Sequence, residues 1–433
     1  MMCNIEEKDY YHGLLRREDL DELFKKGGDY LVRMGETKEG EAKDFIVSIS
    51  LCSKNKKQLK HFVISRTPHG FSVDNVNFFP DIVQLIEYYS VRKVGLNGIL
   101  FQTEDTVLKR PICRASWELT HGQVELGEKL GEGHFGSLMK GKLTLNNTQR
   151  HIDVAVKTAK KECSENEIAE VLKEARIMRN MIYPHIVRLY GVAVDKEPIL
   201  IVMELMANGD LKSFMRKKPS NKKQKLCWTA QAAYGLDYLH SRHFIHRDIA
   251  ARNCLLSKNL TLKIADFGLA REGDVYTVAT RRKLPVKWIS PEVLENNVFS
   301  LKSDVWSFGI LVWEIMTNGA TPYEGLPNAK VKEMMLQGKH NKFPPDTNSQ
   351  VVELVQSCWL RDPAYRCTMR EAAKFMANLT GIPQPPMSTY ASKELISRTS
   401  SSRSKSSSCR SRLMSKRNTQ CRANSVLSRR KSK

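Results

Sequence analysis

His246-Arg247-Asp248-Ile249-Ala250-Ala251-Arg252-Asn253, followed by Asp266-Phe267-Gly268, is the stretch whose reading decides the fold of this 433-residue chain. Its meaning comes from the segments that precede it. Furthest upstream stands Gly131-Glu132-Gly133-His134-Phe135-Gly136. Alone, such a glycine pattern fits dinucleotide-binding folds and many surface loops. Here it follows Val124-Glu125-Leu126-Gly127 and precedes Lys140-Gly141-Lys142-Leu143, a strand–loop–strand arrangement. A dinucleotide site would need a helix after the glycines, so the pattern suits instead a flexible flap lying over phosphates. Next comes Val154-Ala155-Val156-Lys157, where strand alternation points Ala155 and Lys157 to one face and lets the ammonium reach phosphate oxygens. Glu174 follows in a helix predicted over 172–181. A Lys–Glu pair at that separation is common and on its own reads as a solvated face. The order of the segments sets it apart.

Five segments in sequence, ending with Ser290-Pro291-Glu292, resemble the protein-kinase family. The resemblance implies a bilobal fold that uses ATP and Mg2+. Asp248 would accept or orient the substrate hydroxyl proton, with Arg252 beside it, and Asn253 and Asp266 would hold magnesium. Lys157 would hold the α and β phosphates and pair with Glu174. The loop from Leu130 through Gly131, Glu132, Gly133, His134, Phe135, Gly136 and Ser137 to Leu138 would cover the nucleotide. Ala155, Met203, Glu204 and Met206 would line the adenine pocket. Such a site supplies cations, amide dipoles and alignment because phosphoryl transfer spreads negative charge over oxygens. Ala250 stands where serine/threonine kinases place Lys, and Ala-Ala-Arg together with Leu284-Pro285-Val286-Lys287-Trp288 resembles the tyrosine-specific pattern. Tyr276 is the only tyrosine between Asp266 and Glu292, and its phosphate would pair with Arg247 to order the loop. Glu292 with Arg366, and Asp304 with Trp306, are expected as large-lobe scaffold. Leu138, Ser290 and Cys367 depart from the usual Val, Ala and Pro without touching phosphate chemistry.

Tyr10-Tyr11-His12-Gly13-Leu14-Leu15-Arg16-Arg17 and Tyr30-Leu31-Val32-Arg33 resemble the Src-homology-2 (SH2) family, a central antiparallel sheet flanked by two helices. An inward arginine in an apolar strand is costly unless it receives an anion, and a guanidinium binds phosphate through two parallel hydrogen bonds. Arg33 is therefore expected at the base of a phosphotyrosine pocket, with Arg17 at its side, His61 in its wall and Thr37 in the following loop. Met34-Gly35 replaces the usual Glu-Ser, which removes a hydroxyl donor.

The whole is read as an α+β chain: SH2 domain 10–110, linker 111–123, tyrosine kinase domain 124–380 and a disordered tail 381–433. One SH2 domain followed at once by a tyrosine kinase, with Trp117-Glu118-Leu119 between, resembles the Fes/Fer group. That group usually carries a long F-BAR region first. Nine residues stand there in this chain, so a short form is expected. The implied function is a non-receptor tyrosine kinase recruited by tyrosine-phosphorylated proteins and acting on tyrosine-bearing protein substrates. The competing reading is a phosphotyrosine-reading scaffold with an inert kinase fold, which the intact Lys157, Asp248, Asn253 and Asp266 disfavour.

Composition bounds the rest. Hydrophobic residues make up 41% of the chain, enough to build real cores. The net charge of +22 is concentrated at the end: 381–433 holds 13 Lys and Arg against Glu394, with fifteen serines. Such a segment cannot bury enough apolar surface to fold. Its charge permits a peripheral membrane or other anionic partner; a solubilising or phosphorylated tail is the alternative. A nucleic-acid role for the whole protein is not supported, because much of the excess charge belongs to the tail. The ten cysteines are scattered without a CxxC pair, which reads as reduced thiols. The longest apolar run, 308–316, holds nine residues including Glu314 and reads as a buried helix. A cytoplasmic location, with possible attachment at the plasma membrane, is expected.

Overall fold

Strand Asp29–Glu36 (β1) carries the first sheet, and its alternation sorts its side chains. Tyr30 and Val32 join the cluster around Ile82, Leu85, Ile86 and Tyr89, while Leu31 packs on the other face with Leu15, Leu20 and Phe24. The computed structural model describes residues 4–36, 42–53, 56–96, 106–133, 136–145, 150–159, 165–278 and 285–387. β1 pairs with Lys43–Ser53 (β2), which pairs with Lys56–Thr67 (β3) and then Gly70–Ser72 (β4). Helix Ile82–Arg92 (α1) covers one face; the Asp81 carboxylate caps it by accepting from the Gln84 amide at 2.8 Å. Arg110–Pro111 (β5) returns parallel to β1. On the other face the first helical flank is a single 3-10 turn, Arg17–Asp19.

The second half opens with Glu118–Leu119 (β6), Val124–Gly133 (β7), Gly136–Thr144 (β8) and His151–Ala159 (β9). Helix Glu165–Arg179 (α2), Leu189–Ala193 (β10) and Leu200–Glu204 (β11) complete the small lobe. Its six strands run in the order β6-β10-β11-β9-β8-β7, antiparallel except where β6 meets β10. The large lobe follows with Leu211–Lys217 (α3), Lys222–Ser241 (α4), Phe244–Ile245 (β12), Cys254–Leu256 (β13) and Leu262–Ile264 (β14). Arg271–Glu272 (β15), Val275–Thr277 (β16), Pro291–Asn296 (α5) and Val298–Ser300 (β17) lead into Leu301–Met316 (α6). Asn328–Leu336 (α7), Ser349–Cys358 (α8) and Met369–Thr380 (α9) close it. α6 is buried along almost its whole length, as its apolar run predicts. No helix of the described residues is long and apolar enough to cross a membrane. Of the tail expected disordered over 381–433, residues 388–433 lie outside the described residues, whereas 381–387 are described and 381–384 pack on α4: Tyr234 donates to the Ile382 carbonyl and Gln384 donates to Asp237 at 2.8 Å.

The two halves meet on α2. Leu14 packs with Val171, Leu172 and Ala175 of that helix and with Val192 and Val194. Its amide donates to the Val194 carbonyl at 2.7 Å. Gly13 makes this approach possible: its φ is +55°, and a Cβ there would lie 2.0 Å from the Val194 oxygen. Charge completes the contact. Arg176 of α2 donates twice to the buried Asp19 carboxylate, at 2.8 and 3.0 Å. Arg179 bonds Glu22 at 2.6 Å and lies over the Trp117 ring at 4.3 Å.

Candidate active site

Lys157 sits on β9 with its ammonium turned toward the cleft, where Glu174 of α2 meets it at 2.6 Å. The cleft is a cavity of about 660 Å³. Leu130, Leu138, Ala155, Met203, Glu204 and Met206 line it from the small-lobe side; Arg252, Asn253 and Asp266 line it from below. The sequence did not single out Leu255, Val187 and Leu205, which also line the cleft. They are apolar residues inside strands or connections, with nothing in their spacing to mark them. Gly131 and Ser137 stand on the paired strands β7 and β8 that form the flap, as do Glu132, Gly133 and Gly136. His134 and Phe135 lie outside the described residues.

The catalytic loop is held from beneath. Asp304, at the start of α6, accepts from the His246 amide at 2.7 Å and the Arg247 amide at 2.9 Å. That support fixes Arg247 at a φ of +68°, a conformation a non-glycine residue adopts only where its surroundings impose it. His246 bonds the Ala265 carbonyl at 3.1 Å and packs edge-on against buried Phe267. Asp248 then presents its carboxylate to Arg252 and to Asn253, whose amide donates to Asp248 Oδ2 at 2.7 Å. With its Nδ2 engaged, Asn253 keeps Oδ1 as an oxygen donor for a cation. Asp266 is exposed at the cleft floor and, among the described residues, accepts one long bond, 3.4 Å from the Gly268 amide. An amide oxygen and a carboxylate beside nucleotide phosphates are the hard donors that magnesium takes.

One positioning residue went unread as such in the sequence. Glu314 of α6 is fully buried; its Oε2 accepts from the Ala251 amide at 2.9 Å and from Trp288 Nε1 at 3.0 Å. It thus ties the catalytic loop to the segment expected to support the substrate backbone. Burial pushes its carboxyl up, opposed by these two bonds. The signal was a lone carboxylate in an apolar run, where a buried charge is rarely tolerated without a task. Arg252 reinforces the link by lying over the Trp288 ring at 4.5 Å.

Tyr276, on β16, faces a cluster of cations. Arg247 lies over its ring at 4.5 Å and Arg271 at 5.5 Å. A hydrogen bond from Arg271 holds the Tyr276 hydroxyl below the ordinary phenol range, with Arg247 and Lys173 adding to the field. Glu292 and Arg366 form the anticipated pair, two parallel bonds of 2.7 Å with the guanidinium buried.

The second site surrounds Arg33. Its Nε donates to Ser48 Oγ at 3.3 Å, and Ser48 meets His61 Nδ1 at 2.9 Å. Nη2 is buried without a partner among the described residues. A cavity of about 140 Å³ opens here, lined by Arg17, Arg33, Gly35 and Lys43 among others. Burial and the neighbouring Arg17 lower the Arg33 guanidinium to about 10, and burial with Arg33 lowers His61 to about 4. A pocket in which Arg16, Arg17, Arg33 and Lys43 outnumber Glu18 and Glu36, with one buried donor unpaired among the described residues, is set to receive an anion. Gly35 has a spatial role that its missing hydroxyl concealed: a Cβ there would lie 2.9 Å from Arg33 Nη1. Thr37 lies outside the described residues.

Comparison with known proteins finds two families in the chain. The family described as protein tyrosine and serine/threonine kinase matches residues 124–376, and the SH2 domain family matches 10–89. Fer-related kinase 1 of Caenorhabditis elegans is 35% identical over 373 residues, covering 84% of this chain and 92% of that protein. The chain belongs to the Fes/Fer family of SH2-containing tyrosine kinases. Other relatives of this Fes/Fer chain are longer. The transforming protein Fps of avian sarcoma virus (strain PRCII) is 38% identical over 82% of this chain and 65% of its own length. Human tyrosine-protein kinase Fer is 36% identical over 85% of this chain and 43% of its own length. Protein kinases of this family use ATP as the phosphoryl donor, and an SH2 domain implies partners bearing phosphotyrosine.

Proposed function

We propose that this protein transfers the γ-phosphate of ATP to tyrosine hydroxyls of protein substrates, and that phosphotyrosine capture at Arg33 recruits it to them. The observation that carries the reading is the joined set at one cleft: Lys157 on Glu174, and Asp248 held between Arg252 and Asn253. Asp248 receives the substrate hydroxyl proton. Arg252 keeps its carboxylate oriented through a charge-assisted bond. Lys157 holds the α and β phosphates, and Glu174 keeps that ammonium in place. Asn253 and Asp266 would hold magnesium, which would supply positive charge against the nucleotide phosphates. The strand-flanked glycine loop excludes water from above, and Met203 with Leu138 encloses the adenine. Ala250 in place of the lysine usual in serine/threonine kinases, with Ala251 and Arg252, supports tyrosine as the acceptor.

Phosphate on Tyr276 would pair with Arg247 and Arg271 and hold the loop open to substrate. The packing of the SH2 half on α2, the helix that carries Glu174, supports coupling between phosphotyrosine capture and catalysis. We place the protein in the cytoplasm. The +12 charge of the 13 cations and Glu394 in 381–433 supports transient attraction to an anionic surface; deleting 388–433 without changing localisation removes that part of the reading.

The test is purified protein with ATP, magnesium and poly(Glu,Tyr), beside Asp248→Asn. Phosphate transfer that falls at least 100-fold in the variant is expected, the scale of a lost catalytic base. Wild-type transfer no greater than the variant's would favour the inert scaffold.

A further inference from the structure

Cys358 ends α8, and Cys367 immediately precedes Thr368, the residue that caps α9. Nine positions apart in the chain, their sulfur atoms lie 3.6 Å apart. Cys367 stands where the kinase family usually has proline, so a thiol replaces a residue that has no redox chemistry. We propose that Cys358 and Cys367 are a dithiol oxidation site, in which a hydroperoxide oxidises Cys367 and Cys358 resolves it to an intrachain disulfide.

Three observations carry this. The first is that contact already exists, so ring closure needs only about 1.5 Å of approach to reach bonding distance. The second is rigidity. The intervening loop is pinned by Arg366, whose buried guanidinium bonds Glu292 at 2.7 Å twice, the Leu360 carbonyl at 2.7 Å and the Arg361 carbonyl at 3.0 Å. Two sulfur atoms flanking such an anchored loop cannot drift apart. The third is the division of character between the two. Cys358 is fully buried, whereas Cys367 is reachable from solvent. A bond from the Cys358 thiol, with Ser357 and the Lys302 ammonium nearby, lowers Cys367 to about 7 against the opposing influence of burial and Glu371. Its own bond to Cys367, together with burial, pushes Cys358 well up. Burial likewise pushes up Cys227 and Cys254. Cys367 is therefore the nucleophile and Cys358 the resolving partner.

The chemistry balances with a hydroperoxide as oxidant. The Cys367 thiolate attacks a peroxide oxygen; the O–O bond breaks, and the leaving hydroxide takes a proton to become water. Cys367 is then a sulfenic acid. The Cys358 sulfur attacks it, the S–O bond breaks, and the departing hydroxide takes the Cys358 proton as a second water. Two thiols have lost two electrons and two protons, and hydrogen peroxide has become two waters. In a reducing compartment such a bond is transient, as befits a sensing site.

The full chain, reduced and then titrated with hydrogen peroxide, tests this by peptide mapping. A cross-link between the peptides holding Cys358 and Cys367, reversed by dithiothreitol, is expected before Cys227 reacts. In Cys358→Ala, dimedone should trap Cys367 as sulfenic acid, at least tenfold more than in the wild type. Two results overturn the proposal. One is that both thiols remain alkylatable in the wild type after Cys113 has been oxidised. The other is that Cys367 joins a cysteine of another molecule instead of Cys358. Both are read on the wild-type chain, so they decide the matter even if the alanine variant does not fold.

Discussion

Asp19→Asn removes a charge that lies 157 residues from its partner in sequence, yet its effect should be read on α2. The Asp19 side chain keeps 7% of its exposure and Arg176 keeps 29%, so the pair is neither a surface ion pair nor a fully dry one. An exposed pair contributes about 0.2–1 kcal/mol, and breaking a fully buried one costs about 3–5 kcal/mol. Two charge-assisted bonds with water access to one partner place the loss near 2 kcal/mol. Arg176 lies two residues beyond Glu174 on the same helix, so its release loosens the helix that presents Glu174 to Lys157. If α2 opens locally, amide hydrogen exchange along 168–179 should accelerate roughly 30-fold, the equivalent of 2 kcal/mol. Transfer to peptide should fall by no more than the same factor, because Glu174 itself is intact. The control is a double-mutant cycle with Arg176→Gln: once the arginine is gone, Asp19→Asn should have little further effect on exchange. Unchanged α2 exchange, or effects that simply add in the double variant, would refute the reasoning. The contact would then be a passive surface pair.

Gly35→Ser should weaken phosphopeptide binding, measured by calorimetry, because the new Cβ would crowd Arg33 Nη1 at 2.9 Å; tighter binding would mean the hydroxyl outweighs the crowding. Tyr276→Phe should lower the specific activity reached after incubation with ATP, and mapping should find phosphate on Tyr276; an unmodified Tyr276 in fully active enzyme defeats that role. Stability should fall as pH drops from 6.5 toward 4. Burial holds His185 at about 4, as burial and Arg33 hold His61, so the unfolded chain binds protons there that the folded one does not. The thermal midpoint should show that slope, and His185→Gln should flatten it; a pH-independent midpoint across this range would count against both assignments.

Much of the candidate site could be read from the chain because phosphoryl transfer needs particular groups at particular spacings. Gly131 to Gly136, Lys157, Asp248, Asn253 and Asp266 each lie in short segments whose chemistry is local. Helices α1 and α6 were legible for a similar reason, since Ile82, Leu85, Ile86 and Tyr89 repeat with the helical period and 308–316 is apolar but for Glu314. Glu314 was visible only as an oddity in that run. Its purpose depends on Trp288 and Ala251 coming to it from other segments. Gly35 was read as a lost hydroxyl, and the space it leaves for Arg33 became evident only with the strand's pleat.

What the sequence by itself determined, then, is the pair of modules and the chemistry each carries, because motif residues lie within one strand, turn or loop. The tertiary structure alone decided how Asp19, Glu22 and Leu14 meet α2 and how Gly13 meets Val194. Contacts between residues more than a hundred positions apart depend on the course of the backbone between them. No periodicity or local spacing records that course, so burial, close approach and charge pairing at such places become readable only once the chain has folded.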